Sequence, residues 1–224
     1  MAKIFIGIPS IRNYQPFYLS LAKFLPQVQE KHDILLAYVK DKEIADARNE
    51  IVDKFLDSGS DFLLFLDDDH EGHTLEMLEA LLSLDCPVAA IKCYSRFFPH
   101  LPNLLDYSGV AMEEAKYKMK EETTGVHPCD LVGFGMTLIK REVFLMIDKP
   151  YFVAKNNAKE DNYFCDALVA KGIKPMGCFD FCLPHQGIDE AKARELKDLG
   201  MDEIKKNIQE QFPGRGAVDI LVVA

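Results

Sequence analysis

The sequence predicts an α/β fold: a mostly parallel central sheet flanked by helices. Two observations predict it. Short, nearly continuous apolar runs such as "KIFIGI" and "DFLLFL" read as strands buried on both faces. Stretches of helical period separate them, so that segment 1–91 alternates strand, helix, strand, helix, strand, helix, strand. Right-handed crossovers then place helices on both faces of the sheet. A third observation locates the site. "PSIRN", "DDDH" and "KCYSR" fall at strand carboxyl ends, where such sheets bind ligands.

Each element has its own signal. Segment 3–8 is almost all apolar, and Pro9 and Ser10 end it. A helical pattern begins at Pro16 and runs to about residue 25, followed by a strand over 33–39. Segment 44–56 is amphipathic, with Ile44, Ala47, Ile51, Val52, Phe55 and Leu56 on one face. "SGSD" breaks it, and 61–66 is the third strand. Thr74 caps a helix to about residue 84, and 86–91 is the fourth strand. Segment 92–129 reads as a loop-rich insertion with room for a hairpin. "CDLVGFGMTLIKREVF" predicts a strand with two glycines and a helix, and "KEDNYFCDALVAKGI" a helix closed by Gly172. "KPMGCFDFCLPHQG" predicts a strand, or a strand pair, ending in His185; segment 189–211 is helical and polar. The apolar end "GRGAVDILVVA" reads as an edge strand, a docked tail or a homo-oligomer contact.

Composition narrows the function. The chain of 224 residues is long enough for a sizeable core and has a formal net charge of −10. That charge disfavours nucleic acid and anionic membranes as partners. No apolar stretch approaches membrane-spanning length, and the amino-terminal apolar run is too short for a signal peptide. The six cysteines contain no C-x-x-C pair and sit mostly in apolar context, as in a reduced, cytoplasmic protein.

The acidic run Asp67-Asp68-Asp69 closes a buried strand. Strand alternation points Asp67 and Asp69 to one side. Two carboxylates so close repel unless a cation lies between them. Oxygen ligands suit Mg²⁺ or Mn²⁺, which keep open positions for substrate phosphates. The plainer alternative is a solvated acidic turn ahead of the next helix. Arg48 falls within the apolar arc of its helix, and a buried guanidinium needs an anion, either an Asp of the cluster or a phosphate. Asn49 suits capping or ligand contact. His70 and His73 add a rival, since "DDDHEGH" also suits a hydrolase metal site, but no second Asp/His cluster completes a two-metal centre.

"IADARNEIV", "FLDDDH", "VGFGMTLIKREVF", "EDNYFCDALVAKGI" and "PHQG", in that order over segment 3–187, resemble the GT-A glycosyltransferases, closest to the family-2-like group. The resemblance implies a GT-A, Rossmann-like domain over 1–188, with a donor half (1–91) and a smaller acceptor-side half (92–188), followed by a C-terminal helical extension and tail (189–224). It implies that Pro9, Ser10 and Arg12 lie along the nucleotide and that Arg48 lies beside the nucleotide and diphosphate. It implies that Asp69 and His185 ligate Mn²⁺ or Mg²⁺, while Asp67 holds the ribose or the ion. Asp68 joins the donor-binding set. Gly133 and Gly135 match small residues that let the backbone approach the donor sugar. Glu160 and Asp161 match the acidic pair where inverting members keep a general base.

The expected activity is therefore metal-dependent transfer from a nucleotide-diphospho-sugar, by default a UDP-sugar, to a glycan, lipid or protein acceptor, with inversion. The chain has no tryptophan, so the Q-x-x-R-W motif of processive synthases is absent. Two other readings keep the architecture. A nucleotidyltransferase would need a glycine-rich basic loop after the first strand, which "GIPSIRNYQP" does not supply. A non-catalytic sugar-nucleotide-binding protein would not need the full acidic set.

Overall fold

The structure, a computed structural model, describes residues 1–11, 14–96, 102–107, 117–119, 124–154 and 159–198. Arg12, most of the charged part of the insertion, and the tail from 199 onward lie outside the described residues.

Five strands run one way: β1 (Lys3–Ser10), β2 (Asp33–Lys40), β3 (Phe62–Leu66), β4 (Val88–Cys93) and β10 (Met176–Leu183). Two oppose them, β7 (Val126–Pro128) and β9 (Met136–Lys140). The sheet order is β2-β1-β3-β9-β4-β10-β7. A second sheet of three short strands, β6-β5-β8, holds β5 (Leu104–Tyr107), β6 (Tyr117–Met119) and β8 (Leu131–Val132). The fold is thus α/β and mostly parallel, as the apolar runs predict.

Strand alternation assigns each side chain to one of two cores. On one face Ile4, Ile6, Ile8, Leu64 and Leu66 meet Phe17, Phe24 and Val28 of α1 (Gln15–Gln29) and Leu78 and Leu81 of α3 (Leu75–Ser83). On the other face Phe5, Leu63 and Phe65 meet Ile51, Val52 and Phe55 of α2 (Ile44–Ser58), Phe144 of α4 (Val143–Met146), and Phe164 and Leu168 of α5 (Glu160–Ala170). α2 lies so close to β1 that a Cβ on Gly7 would sit 2.3 Å from Ile51 Cγ2. The helix ends follow their local chemistry. Thr74 accepts the Met77 N–H at 3.2 Å, as an N-cap should. Beyond α5, the Gly172 N–H reaches the Val169 carbonyl at 2.9 Å and the Ile173 N–H the Leu168 carbonyl at 2.9 Å, a Schellman closure.

One expectation needs correction. Segment 129–140 is two strands, not one with two glycines: β8 and β9 belong to different sheets, and Gly133 and Gly135 lie between them. In addition, β3 and β4 are not neighbours, because β9 enters between them antiparallel to both. Met136, Leu138 and Ile139 of β9 are buried, with Met136 and Leu138 on one face and Ile139 on the other. Such a strand is stable only when both of its faces and both of its edges are covered. Residues of the predicted acceptor half therefore form the middle of the sheet, beside the acidic strand.

Candidate functional site

The three aspartates serve three different partners. β3 ends at Leu66 and the chain turns at Asp68 and Asp69, so alternation stops there. Asp67 stays on the α2 face. Arg48 Nη2 lies 3.0 Å from Asp67 Oδ1 and 3.1 Å from Oδ2, and Nε donates to Glu160 Oε1 at 3.2 Å. The Arg48 side chain is 3% exposed, and its guanidinium lies 4.5 Å from the centre of the Phe134 ring. Burial opposes its charge, but Asp67 and Glu160 outweigh burial and raise its pKa. Burial pushes the Asp67 carboxyl up to about 7, with Asp69 and Glu160 adding and Arg48 opposing. Burial and then Glu160 also push Asp161 up. Asp161, in the first turn of α5, accepts the Asn162 N–H at 2.9 Å.

Asp68 holds the end of β1. It accepts the Ser10 hydroxyl at 2.7 Å and the Ile11 N–H at 3.1 Å. A carboxylate only accepts, so the Ser10 hydrogen points to Asp68. The Tyr38 hydroxyl then donates to Ser10 at 2.7 Å and the Tyr18 hydroxyl to Tyr38 at 2.8 Å. Pro9 and Ser10 lie inside β1 rather than after it, with Ser10 buried.

Asp69 meets two imidazoles and a guanidinium. Oδ1 is 3.1 Å from His70 Nδ1; Oδ2 is 3.2 Å from His185 Nε2 and 2.7 Å from Arg96 Nη1. Burial alone would raise the Asp69 carboxyl, but the imidazoles of His185 and His70 take it well below the usual range. Burial, aided by His185, lowers His70, which favours a neutral ring. The two rings stack at 4.2 Å with 15° between their planes. His185 Nδ1 donates to the Tyr94 carbonyl at 3.0 Å, which fixes the ring with Nε2 turned toward Asp69. His185 Nε2 and both ring nitrogens of His70 are buried without an aligned hydrogen bond.

Backbone contacts fix this arrangement. The Gln186 N–H donates to the Asp69 carbonyl at 3.0 Å, and the Glu71 N–H to the Pro184 carbonyl at 3.1 Å. The Gly187 N–H adds a bond to Glu71 Oε1 at 3.1 Å. His185 is thereby held beside the acidic turn by the protein alone. Gly135 makes room for the His70 ring, since a Cβ there would lie 2.7 Å from Nε2. Gly133 does the same for Asn103, whose Nδ2 would lie 2.8 Å from a Cβ.

The structure thus brings Asp69 and His185 together, and Asp67, Arg48 and Glu160 together, as two adjacent clusters. Asn49 proves to be a clamp: its Oδ1 accepts the Tyr151 and Phe152 N–H groups at 3.0 and 3.2 Å, and its Nδ2 donates to the Phe152 and Ala45 carbonyls at 2.8 and 2.9 Å. His73 sits behind the site, with Nδ1 3.1 Å from Ser20 Oγ and its ring 5.7 Å from that of Phe17. It does not join His70. Of the Asp69 cluster, the sequence pointed to His70 only within a rival hydrolase site and did not single out Arg96. His70 follows the acidic run directly, which was a signal; Arg96 ends "KCYSR", a strand terminus already flagged. Lys92, in β4, is also buried and binds Glu190 of α6 (Glu190–Asp198) at 2.8 Å.

A carboxylate oxygen and two imidazole nitrogens lying within 4.8 Å of one another fit a divalent ion. The orphaned ring nitrogens are what such an ion would satisfy. Imidazoles suit Mn²⁺ and similar ions better than Mg²⁺, which prefers oxygen.

No protein-family model matches the chain, and no curated protein matches it. Solved structures do resemble it. A197 from STIV superimposes with a TM-score of 0.58 at 21% identity, over 83% of this chain and 85% of that one. GalNAc-T7, solved with UDP, GalNAc and Mn²⁺, superimposes with a TM-score of 0.53 at 12% identity, over 98% of this chain and 52% of that one. A Bacillus anthracis protein described as a candidate glucose-1-phosphate thymidylyltransferase, solved with sucrose, gives 0.49 at 13% identity, over 90% and 96%. These likenesses define a Rossmann-like α/β fold of the GT-A type. Among the described residues, no helix is long and apolar enough to cross a membrane.

Proposed function

We propose that the chain is a metal-dependent glycosyltransferase using a nucleotide-diphospho-sugar, by default a UDP-sugar. The observation that carries this reading is the Asp69, His70 and His185 cluster, with buried ring nitrogens that lack partners, at the carboxyl ends of parallel strands in a GT-A fold. Asp69, His70 and His185 would hold Mn²⁺. Bound there, the ion would neutralise charge on a departing nucleoside diphosphate.

The remaining roles belong to the chain's own side chains. Pro9 and Ser10, held by Asp68, border the nucleotide side, and Arg12 would extend it. Arg48 fixes Asp67 and Glu160 relative to each other, joining donor half 1–91 to acceptor half 92–188. With Glu160 committed to Arg48, Asp161 is the carboxylate left for the acceptor. Burial raises its pKa, which suits a proton acceptor. The acceptor oxygen would form a bond to the anomeric carbon, the bond to the diphosphate oxygen would break, and the hydroxyl proton would pass to Asp161. Attack opposite the leaving group inverts the anomeric centre.

The test is release of UDP from UDP-hexoses, with Mn²⁺ and with EDTA, in wild type and Asp161→Asn. The reading expects Mn²⁺-dependent release and a fall of about 10²-fold or more in Asp161→Asn with UDP affinity kept. Full activity in the variant would remove Asp161 from the mechanism. The same release with EDTA would remove the metal.

A further inference from the structure

Arg96 stands where the Asp69 cluster calls for a cation. Its side chain is 20% exposed, and its Nη1 lies 2.7 Å from Asp69 Oδ2. The same oxygen faces His185 Nε2 at 3.2 Å. The guanidinium answers the carboxylate, yet His185 Nε2 and both nitrogens of His70 still lack hydrogen-bond partners. Arg96 is therefore a partial substitute: it supplies charge without satisfying the ligand set.

A divalent ion at Asp69 would bind oxygen and nitrogen together, but it would share its carboxylate with a guanidinium. Two cations on one carboxylate repel strongly in a partly buried site. We propose that Arg96 is the resident counter-ion of Asp69, that a divalent ion displaces it, and that the displaced guanidinium grips the diphosphate oxygens the ion brings in. The inference rests on the reading of Asp69, His70 and His185 as ion ligands. The planar guanidinium suits this exchange, since it pairs with carboxylate and with phosphate through the same fork of donors. The consequence is linkage. The ion alone binds more weakly than its ligands would allow, and ion and diphosphate favour each other.

The test measures binding rather than turnover. Free Mn²⁺ is followed by its electron spin resonance signal in titrations of wild type, Arg96→Ala and Arg96→Lys, and pyrophosphate binding is then measured at saturating Mn²⁺. Arg96→Ala should bind Mn²⁺ alone about tenfold more tightly than wild type and pyrophosphate about tenfold more weakly. Arg96→Lys, which keeps the charge, should stay near wild type for Mn²⁺. A gain in affinity cannot come from a misfolded variant. Should wild type and Arg96→Ala bind Mn²⁺ equally, or the variant more weakly, the inference about Arg96 fails while the metal reading stands. Should neither bind Mn²⁺, both fail together.

Discussion

Two charged clusters lie side by side at the strand ends, and they solve the same problem differently. Around Asp67 the protein supplies its own cation: Arg48 bonds Asp67 and Glu160 and lies against Phe134. Around Asp69 the protein gathers one carboxylate and two imidazoles, with Arg96 paired to Asp69 Oδ2. The first cluster is an internal ion-pair network, although Arg48 Nη1 and Asp67 Oδ1 lack hydrogen-bond partners. The second keeps buried ring nitrogens without hydrogen-bond partners, which the proposed ion would satisfy. Neighbouring aspartates in one acidic run thus have unlike fates, because one lies on the α2 face and the other beyond a turn.

The comparison can be broken most forcefully at Arg48. Replacing it with leucine leaves two buried carboxylates without a cation, so Arg48→Leu should lose about 3–5 kcal/mol of stability in denaturant melts. Adding Asp67→Asn and Glu160→Gln to that variant should restore part of the loss, since neutral amides do not need the guanidinium. A melt unchanged in Arg48→Leu would show that the cluster contributes nothing to the fold.

At Asp69 the effect should move from folding to binding. Asp69→Ala removes one ligand together with the counter-ion of Arg96, so some stability should be lost while the protein still melts cooperatively. Its metal-dependent affinity for donor should fall by at least about 100-fold, as expected when a metal site loses its one carboxylate. Donor affinity that survives the substitution would place the ion elsewhere.

His73 sharpens the contrast at a smaller scale, because it is a buried histidine whose partner, Ser20, is internal. Burial, with His70 adding, lowers its pKa to about 3. Unfolded, the ring has a pKa of about 6.5. The unfolded chain therefore binds a proton first as pH falls, and stability present above about pH 6.5 is lost progressively toward pH 3. His73→Gln should flatten the pH dependence of stability between about pH 6.5 and 5 by about 1.4 kcal/mol per pH unit. An unchanged slope would mean that the ring is protonated in the fold.

Much of this was legible in the chain. Apolar runs and helical period located β1 to β4 and α1 to α3, because both faces of the sheet are covered and each strand announces its burial. The helical wheel exposed Arg48, since a cation among apolar positions needs an anion wherever the chain goes. The likeness of "PHQG" and "DDDH" to known motifs paired His185 with Asp69. The position of β9 was not legible, because strand order depends on which edges find each other across the whole sheet rather than on local pattern. Nor was the division among the three aspartates, which depends on a turn that cancels strand alternation. Arg96 was hidden for a similar reason: its role depends on where the end of β4 lies relative to the acidic turn.

The central claim is that the Asp69 cluster holds an ion that holds a nucleoside diphosphate. Calorimetric titration of wild type with UDP, with and without Mn²⁺, tests it most directly. The account predicts binding with Mn²⁺ and little or none without it, and loss of the Mn²⁺-dependent part in Asp69→Ala. UDP bound equally well with EDTA, or no Mn²⁺ uptake by the folded protein, would contradict it.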